Sequence, residues 1–347
     1  MKYYTNVTRY GNNILLRGIE DGQRISDRIP FNPTLYIESP KATGKFRSLY
    51  GKSVEPVEMG SMKEAKEFVA QYKDVPNFTV HGNTNYVSQF ISKNYPSDLK
   101  WDTSKINITY IDIEVQSDAG FPKPEDAAHP VISIAVKSNQ SGQFYVWGLE
   151  DYDAQDTTTY FKCVDEESLL KAFLGWWEGN CPDIVTGWNS KLFDMTYMVN
   201  RITGLIGWDN AKRLFKKFTL NTYGQQESYK LDNIAHVVLG ERKLSYEEHG
   251  TLHALYKNDY QKFIDYNIKD VELVEQLEEK IGIISLVMTM SYGAKTNFND
   301  ALGTTAIWDT IIYNELLADN VVIPPRPPID YDAGKIVGGY VKDPMVG

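Results

Sequence analysis

Ile106-Asn107-Ile108-Thr109-Tyr110-Ile111-Asp112-Ile113-Glu114-Val115 is the stretch whose reading decides the fold. From Ile108 to Val115 it is apolar and β-branched almost throughout, the pattern of a strand buried on both faces, yet it carries two carboxylates. Side chains alternate along a strand, so Asp112 and Glu114 point to the same side. Burying two like charges on one face of a central strand is costly unless a cation lies between them. A divalent metal answers that cost. So does a strand that ends at Tyr110 with both acids solvated at its tip, and the stretch alone leaves both readings open.

The chain around it has 347 residues, enough for two domains, and 42% hydrophobic residues supply ordinary cores. A net charge of −10 argues against a protein that holds nucleic acid by bulk electrostatics, although a local basic groove is compatible with it. Cys163 and Cys181 are too few for a disulfide framework or a zinc cluster, which points to a reducing, cytoplasmic setting. Met1-Lys2-Tyr3-Tyr4-Thr5-Asn6 leads straight into strand-like sequence with no signal-peptide pattern, and no apolar run approaches a membrane span of about 20 residues.

Residues 1 to about 105 read as a small mixed domain. Gly11-Asn12-Asn13 and Glu20-Asp21-Gly22 are turn signals between short apolar runs, which predicts a meander of three or four strands. Ser61-Met62-Lys63-Glu64 has the form of a capping box and opens a helix to about Tyr72. Such a domain serves as a scaffold, with RNA binding as the lesser alternative.

From Ile106 the texture becomes strand, strand, strand, helix, strand, helix. Residues 130–136 and 143–147 are strands joined by a hairpin-like turn at Ser138-Asn139-Gln140-Ser141-Gly142. Asp165-Glu166-Glu167 places negative charge at a helix start, and Asp183-Ile184-Val185-Thr186-Gly187-Trp188 is the next strand. At Asn189-Ser190-Lys191-Leu192-Phe193-Asp194 that strand gives way to a helix, with Asn189 as its cap and Asp194 in or near its first turn. Tyr260 to about Leu286 reads as one long helix with an apolar stripe, on which Tyr266 and Asp270 stand at i and i+4 on a single face. The order fits an α/β core, a mixed sheet flanked by helices.

Asp112, Glu114, Asp194 and Asp270 can converge at the end of such a sheet. Oxygen ligands without Cys, and five histidines without ligand spacing, suit Mg²⁺ or Mn²⁺ and not zinc. Two such ions about 3.5–4 Å apart clamp a phosphodiester and activate water. Tyr266, one turn before Asp270, is placed to hydrogen-bond the attacking water or the phosphate.

Asp-x-Glu on a strand, Asn-x-x-x-Phe-Asp at a strand-to-helix junction and Tyr-x-x-x-Asp on a helix, in that order, resemble the three motifs of DEDD-type 3′–5′ exonucleases of the tyrosine subtype. The resemblance implies a ribonuclease H-like fold and two metal ions per site. It assigns Asp112, Glu114, Asp194 and Asp270 as metal-binding acids and Tyr266 as the water-orienting tyrosine. More narrowly, the three stretches resemble the proofreading domain of family B DNA polymerases of T-even-like tailed phages, and the likeness extends to Tyr50-Gly51-Lys52, Ser61-Met62-Lys63 and Trp308-Asp309-Thr310-Ile311-Ile312. It implies an exonuclease domain over 106–286 and an N-terminal α+β domain built from 1–105 and 287–347. The expected partners are a single-stranded DNA 3′ end or primer-template and the remaining polymerase portion in cis or trans, with a sliding clamp as a further candidate, in the host bacterial cytoplasm.

The sequence departs from that family in two places. The polymerase motifs Ser-Leu-Tyr-Pro-Ser and Asp-Thr-Asp are absent from the 347 residues, so polymerisation is not expected of this chain alone, which reads as a fragment or one part of a split polymerase. Between Asp194 and Asp270, residues 209–221 read as helix running into loop with no strand, leaving the sheet incomplete. On that reading the alternative is a catalytically silent scaffold or RNA-binding module; a free-standing RNA exonuclease is a weaker third option. The DNA-contacting candidates are Phe121 in the loop after Glu114, Asn189 and Phe193 of the second motif, and the basic cluster Lys212, Arg213, Lys216 and Lys217, which reads equally well as a solvated helix face. Trp188 is either a stacking platform or core.

Overall fold

A computed structural model describes residues 1–39, 44–73, 75–95, 98–117, 122–215, 220–222 and 230–325, with 215 and 220–222 by backbone alone. The chain opens as an antiparallel meander of β1 (Lys2–Tyr10), β2 (Asn13–Glu20) and β3 (Gln23–Pro30), turning at Gly11 and Gly22, whose φ of 60° and 80° favour glycine. The next strand leaves the meander. β4 (Thr34–Glu38), β5 (Phe46–Ser48), β6 (Ser53–Glu58) and β7 (Val80–His81) belong to a second sheet. The two helices beside it are α1 (Met62–Tyr72) and α2 (Tyr86–Asn94). Ser61 caps α1 as expected, accepting from the Glu64 N–H at 3.1 Å, while the Glu64 carboxylate reaches back to the N–H of Gly60.

The third sheet is mixed, in the order β11-β10-β9-β8-β12-β13. β8 (Ile108–Val115) is central, antiparallel to β9 (Val131–Ser138) and parallel to the short strand β12 (Ile184–Thr186). β10 (Phe144–Gly148) completes the expected hairpin. β11 (Thr158–Lys162), parallel to β10, is an edge strand that the sequence reading passed over; its burial pattern is mostly exposed, so no apolar run marks it.

Two helices cover one face. α3 (Glu166–Asn180) starts on a full capping box between Asp165 and Ser168, and α4 (Asp194–Ile206) follows β12. With α5, a single turn at Trp208–Ala211, they bury Ile111, Ile113 and Val185 of the sheet. The expectation of an incomplete sheet is corrected here: Leu220–Thr222 forms β13, pairing parallel with β12 from Ile184↔Leu220 to Thr186↔Thr222. Three polar-flanked residues carry too little pattern to announce a strand; the neighbouring backbone supplies the pairing.

The other face takes α6 (Leu231–Leu239), α7 (Leu252–Asn258) and α8 (Tyr260–Ile281). The single helix expected to run to about Leu286 is two. Gly282, at φ 70°, ends α8 with its N–H on the Glu278 carbonyl, and α9 (Ile283–Ala294) begins a new direction. The chain then returns to the start. Tyr292 Oη donates to the Tyr4 carbonyl at 2.7 Å, and Tyr4 Oη to that of Thr296 at 2.7 Å. After α10 (Phe298–Ala301) and α11 (Thr304–Ala318), β14 (Val321–Val322) pairs with β5. One apolar cluster runs from Tyr3 and Ile14 through Ile108 and Tyr110 to Phe263 and Tyr292. Among the described residues no helix is long and apolar enough to cross a membrane.

Candidate metal centre

Alternation along β8 sorts its side chains. Ile111 and Ile113 go to the α3–α4 face, while Tyr110, Asp112 and Glu114 go to the face that α8 covers. The ladder slips beside the acids: Glu114 pairs with Ser133 but Val115 with Val131, so Ile132 is an extra residue in β9. Ile132, Asp112 and Glu114 line a partly open cavity of about 550 Å³ together with Trp188, Phe193 and Tyr266.

One carboxylate oxygen each of Asp112, Glu114 and Asp270 lies within 4.8 Å of the others. Asp194 joins them from the opposite side as the first residue of α4, its Oδ1 accepting from the Ile113 N–H at 3.1 Å. Glu114, Asp194 and Asp270 are 8%, 4% and 3% exposed, too dry for charges of one sign to coexist without compensation. Their acidities record the conflict. Burial and then the Asp270 charge push Glu114 up to about 8. Burial also raises Asp194 and Asp270 to about 6 each, against the Ile113 N–H in one case and Lys243 in the other. Asp112 is held well above the carboxylate range by burial and its three acidic neighbours.

Two residues unmarked in the sequence reading complete the site. Lys243 Nζ stands 2.5 Å from Asp270 Oδ2 and 4.8 Å over the Tyr266 ring. Burial disfavours its charge, but Asp270, Tyr266 and Asp112 outweigh that and raise its pKa. The Lys243 backbone is itself placed by Asp232 of α6, whose Oδ1 accepts its N–H at 3.1 Å. Asn267 donates through Nδ2 to Asp112 Oδ2 at 2.7 Å and accepts at Oδ1 from Ser133 Oγ at 2.8 Å. The helix periodicity that paired Tyr266 with Asp270 also stacks Asn267 at i−3 from Asp270, so this residue carried a signal. Lys243 carried none beyond the general need of an acidic pocket for a cation.

The donor set fits a hard divalent ion. It is all oxygen, it is over-supplied with negative charge, and Asp270 Oδ1 is buried with no hydrogen-bond partner. Asp112, Glu114 and Asp270 are the residues that would hold it, with Asp194 adjacent.

The remaining expected residues divide. Phe193 lines the cavity, tilted against Tyr197 at a centroid distance of 5.4 Å, and Trp188 lines it half-buried. Asn189 lines it too, exposed, but does not cap α4: a turn intervenes, in which the Asn189 carbonyl accepts from Leu192 and Phe193, and the cap position falls to Phe193 with no side-chain bond. Lys212 and Arg213 sit in a turn packed beneath α3, away from the cavity lining, paired with Asp209 and Glu178. Phe121, Lys216 and Lys217 lie outside the described residues.

The family model for the exonuclease domain of DNA polymerase family B matches residues 58–239. The chain is 28% identical over 403 aligned positions to the DNA-directed DNA polymerase of Escherichia phage RB69, covering 99% of this chain and 44% of that protein. It is 28% identical over 381 positions to the DNA-directed DNA polymerase of Enterobacteria phage T4, covering 93% and 42%. DNA polymerase II of Escherichia coli K12 is 20% identical over 260 positions, 62% of this chain and 33% of that protein. The chain therefore spans less than half the length of these relatives. It belongs to the family B DNA polymerases, in their exonuclease portion.

Proposed function

We propose that the chain hydrolyses the terminal phosphodiester at the 3′ end of single-stranded DNA, as the proofreading 3′–5′ exonuclease of a phage replicative polymerase. The observation that carries this is the cluster of three carboxylate oxygens within 4.8 Å of one another, one aspartate keeping an unpartnered buried oxygen, inside a cavity large enough for a nucleotide. Asp112, Glu114 and Asp270, with Asp194 beside them, would hold two Mg²⁺ or Mn²⁺ ions. When bound, these ions supply Lewis acidity for an in-line displacement at phosphorus. Tyr266, whose hydroxyl is raised above its ordinary pKa by burial and the Asp270 charge, stays protonated at neutral pH and donates a hydrogen bond toward the reacting phosphate or water. Lys243 places the cavity's fixed positive charge against the Asp270 carboxylate. Trp188 and Phe193 give the terminal base an apolar wall, with Asn189 at the exposed edge.

On the same reading residues 1–105 and 287–347 form one discontinuous domain and 106–286 the exonuclease domain. Tyr4–Tyr292 and the β5–β14 pairing support this, since both tie the end of the described chain to its beginning. The rest of a polymerase, in cis or in trans, and a sliding clamp are the proposed protein partners.

The test is a 5′-labelled DNA oligonucleotide incubated with Mg²⁺ or Mn²⁺, alongside its RNA counterpart. The expected result is stepwise shortening from the 3′ end with release of 5′-mononucleotides, faster on DNA, and loss of at least about 10³-fold in Asp112→Ala and Asp270→Ala. Undiminished degradation by both variants would sink the assignment.

A further inference from the structure

Helix α4 does more than deliver Asp194. Asp194, Tyr197 and Arg201 follow i, i+3, i+7 and share one face of the helix. The two longer side chains, and Asn200, each reach the backbone of the chain between β8 and β9. Tyr197 Oη donates to the His129 carbonyl at 2.7 Å and accepts the His129 N–H at 3.0 Å. Asn200 Nδ2 donates to the Pro124 carbonyl at 2.8 Å. Arg201 Nη1 reaches the carbonyls of Ala127 and Ala128 at 3.1 and 3.0 Å, while its other nitrogens pair with Glu166 at 2.7–2.8 Å. Glu166 in turn accepts the Val131 N–H at 2.7 Å.

The clamped segment is not at rest on its own account. Ala127 is buried at φ 40°, a conformation that an alanine adopts only where its surroundings impose it. Its carbonyl is one that Arg201 holds. At the nearer end of this connection, Gln116, Ser117 and Pro122 line the cavity and are only half-buried, unlike Glu114 and Asp270 deeper in. They offer a strand whose terminal nucleotide lies on the acids a partly open side of the cavity to leave by.

We infer that Tyr197, Asn200 and Arg201 are positioning residues: they fix the segment 122–130 at a set distance from Asp194, so that Pro122 at its cavity end forms the wall against which the DNA upstream of the terminal nucleotide is held. This rests on the exonuclease reading above and extends it to substrate placement. The helix is the ruler, at about 1.5 Å per residue, so Arg201 holds the segment roughly 10 Å along from Asp194. The bonds these three side chains make run to the 124–129 backbone and to Glu166, not to Asp112, Glu114, Asp194 or Asp270.

Two substrates separate this role from a merely structural one. A single-stranded oligonucleotide needs the wall; the p-nitrophenyl ester of thymidine 5′-phosphate, which presents a terminal nucleotide and no upstream strand, does not. In Tyr197→Phe, which keeps the ring, and Arg201→Lys, which keeps a charge for Glu166 but cannot span two carbonyls, KM for the oligonucleotide should rise about 10-fold with kcat within about 2-fold, and hydrolysis of the ester should stay within about 2-fold. An unmoved KM in both variants overturns the inference, as does an equal fall on both substrates, which would mean damage to Asp194. Wild-type protein that hydrolyses neither substrate with Mn²⁺ removes the exonuclease reading, and the inference with it. Active wild type with unmoved variants removes the inference alone.

Discussion

Lys243 Nζ and Asp270 Oδ2 form a 2.5 Å ion pair inside an acidic cluster, so the protein carries a cation of its own where its carboxylates are most crowded. Lys243→Met should leave Asp270 buried and unpaired. Breaking a buried pair costs about 3–5 kcal/mol, and with Lys243 26% exposed we expect about 2–3 kcal/mol of lost stability without metal. Mn²⁺ should restore more Tm in the variant than in wild type, because it relieves the same repulsion. Thermal unfolding with EDTA and with Mn²⁺ reads both; equal Tm for the two proteins in EDTA would refute it.

The acidities give a pH dependence. Folded Glu114, Asp194 and Asp270 keep protons that the unfolded chain gives up from about pH 4, so the folded state binds more protons above that point and its stability falls as pH rises. The fall should run to about 8, where Glu114 ionises. Metal binding requires the ionised groups, so the Mn²⁺-induced rise in Tm should be larger at the alkaline end. Glu114→Gln should flatten the metal-free profile; a variant that keeps the wild-type slope would refute the assignment of the upper part of the window.

Asp183 joins the first sheet to the third. It is buried at the entrance to β12, forms an ion pair with Arg17 at 3.2 Å, accepts from Arg24 at 2.6 Å, and takes Thr5 Oγ1 and the Asn107 N–H as well. Asp183→Ala leaves the mostly buried Arg17 with the Cys181 and Pro182 carbonyls but no counter-charge, and should cost about 3 kcal/mol in urea unfolding. Arg24→Ala, at a side chain 43% exposed, should cost no more than about 1 kcal/mol.

Gly187 lets β12 meet β8 closely. A Cβ there would fall 2.3 Å from the Ile111 carbonyl oxygen, backbone that cannot swing aside. Gly187→Ala should therefore cost about 2–3 kcal/mol and most of the nuclease activity, since Ile111 precedes Asp112. Gly204→Ala in α4, where the new methyl meets nothing, should gain about 0.5–1 kcal/mol and leave activity intact. Similar Tm shifts in the two variants would refute the steric account.

What the sequence made legible follows from where each signal resides. Asp112 and Glu114 were visible because charge inside a β-branched run is expensive, and Tyr266 with Asp270 because helical spacing stacks them. The Ser61 cap and the 138–142 turn were visible as local chemistry. β11 and β13 were not, since an exposed edge strand and a three-residue strand owe their existence to the strand beside them. The division at Gly282 hid behind apolar spacing that continues across it, through Ile281 and Ile284. Lys243 was hidden because a lysine's role depends on the fold that brings it, here from the segment after α6, to a carboxylate 27 positions away.

The bonds from Ser133 through Asn267 to Asp112 run in one direction, hydroxyl to carbonyl and then amide to carboxyl. That polarity makes position 267 intolerant of its nearest chemical relative. An aspartate has the same outline but offers no N–H, so it would set one acid against another where the amide now joins them. One nitrogen atom thus separates a residue that steadies Asp112 with its own N–H from one that could bond it only by the two acids sharing a proton. The acidic cluster is bounded on the helix side by chemistry that size alone cannot imitate.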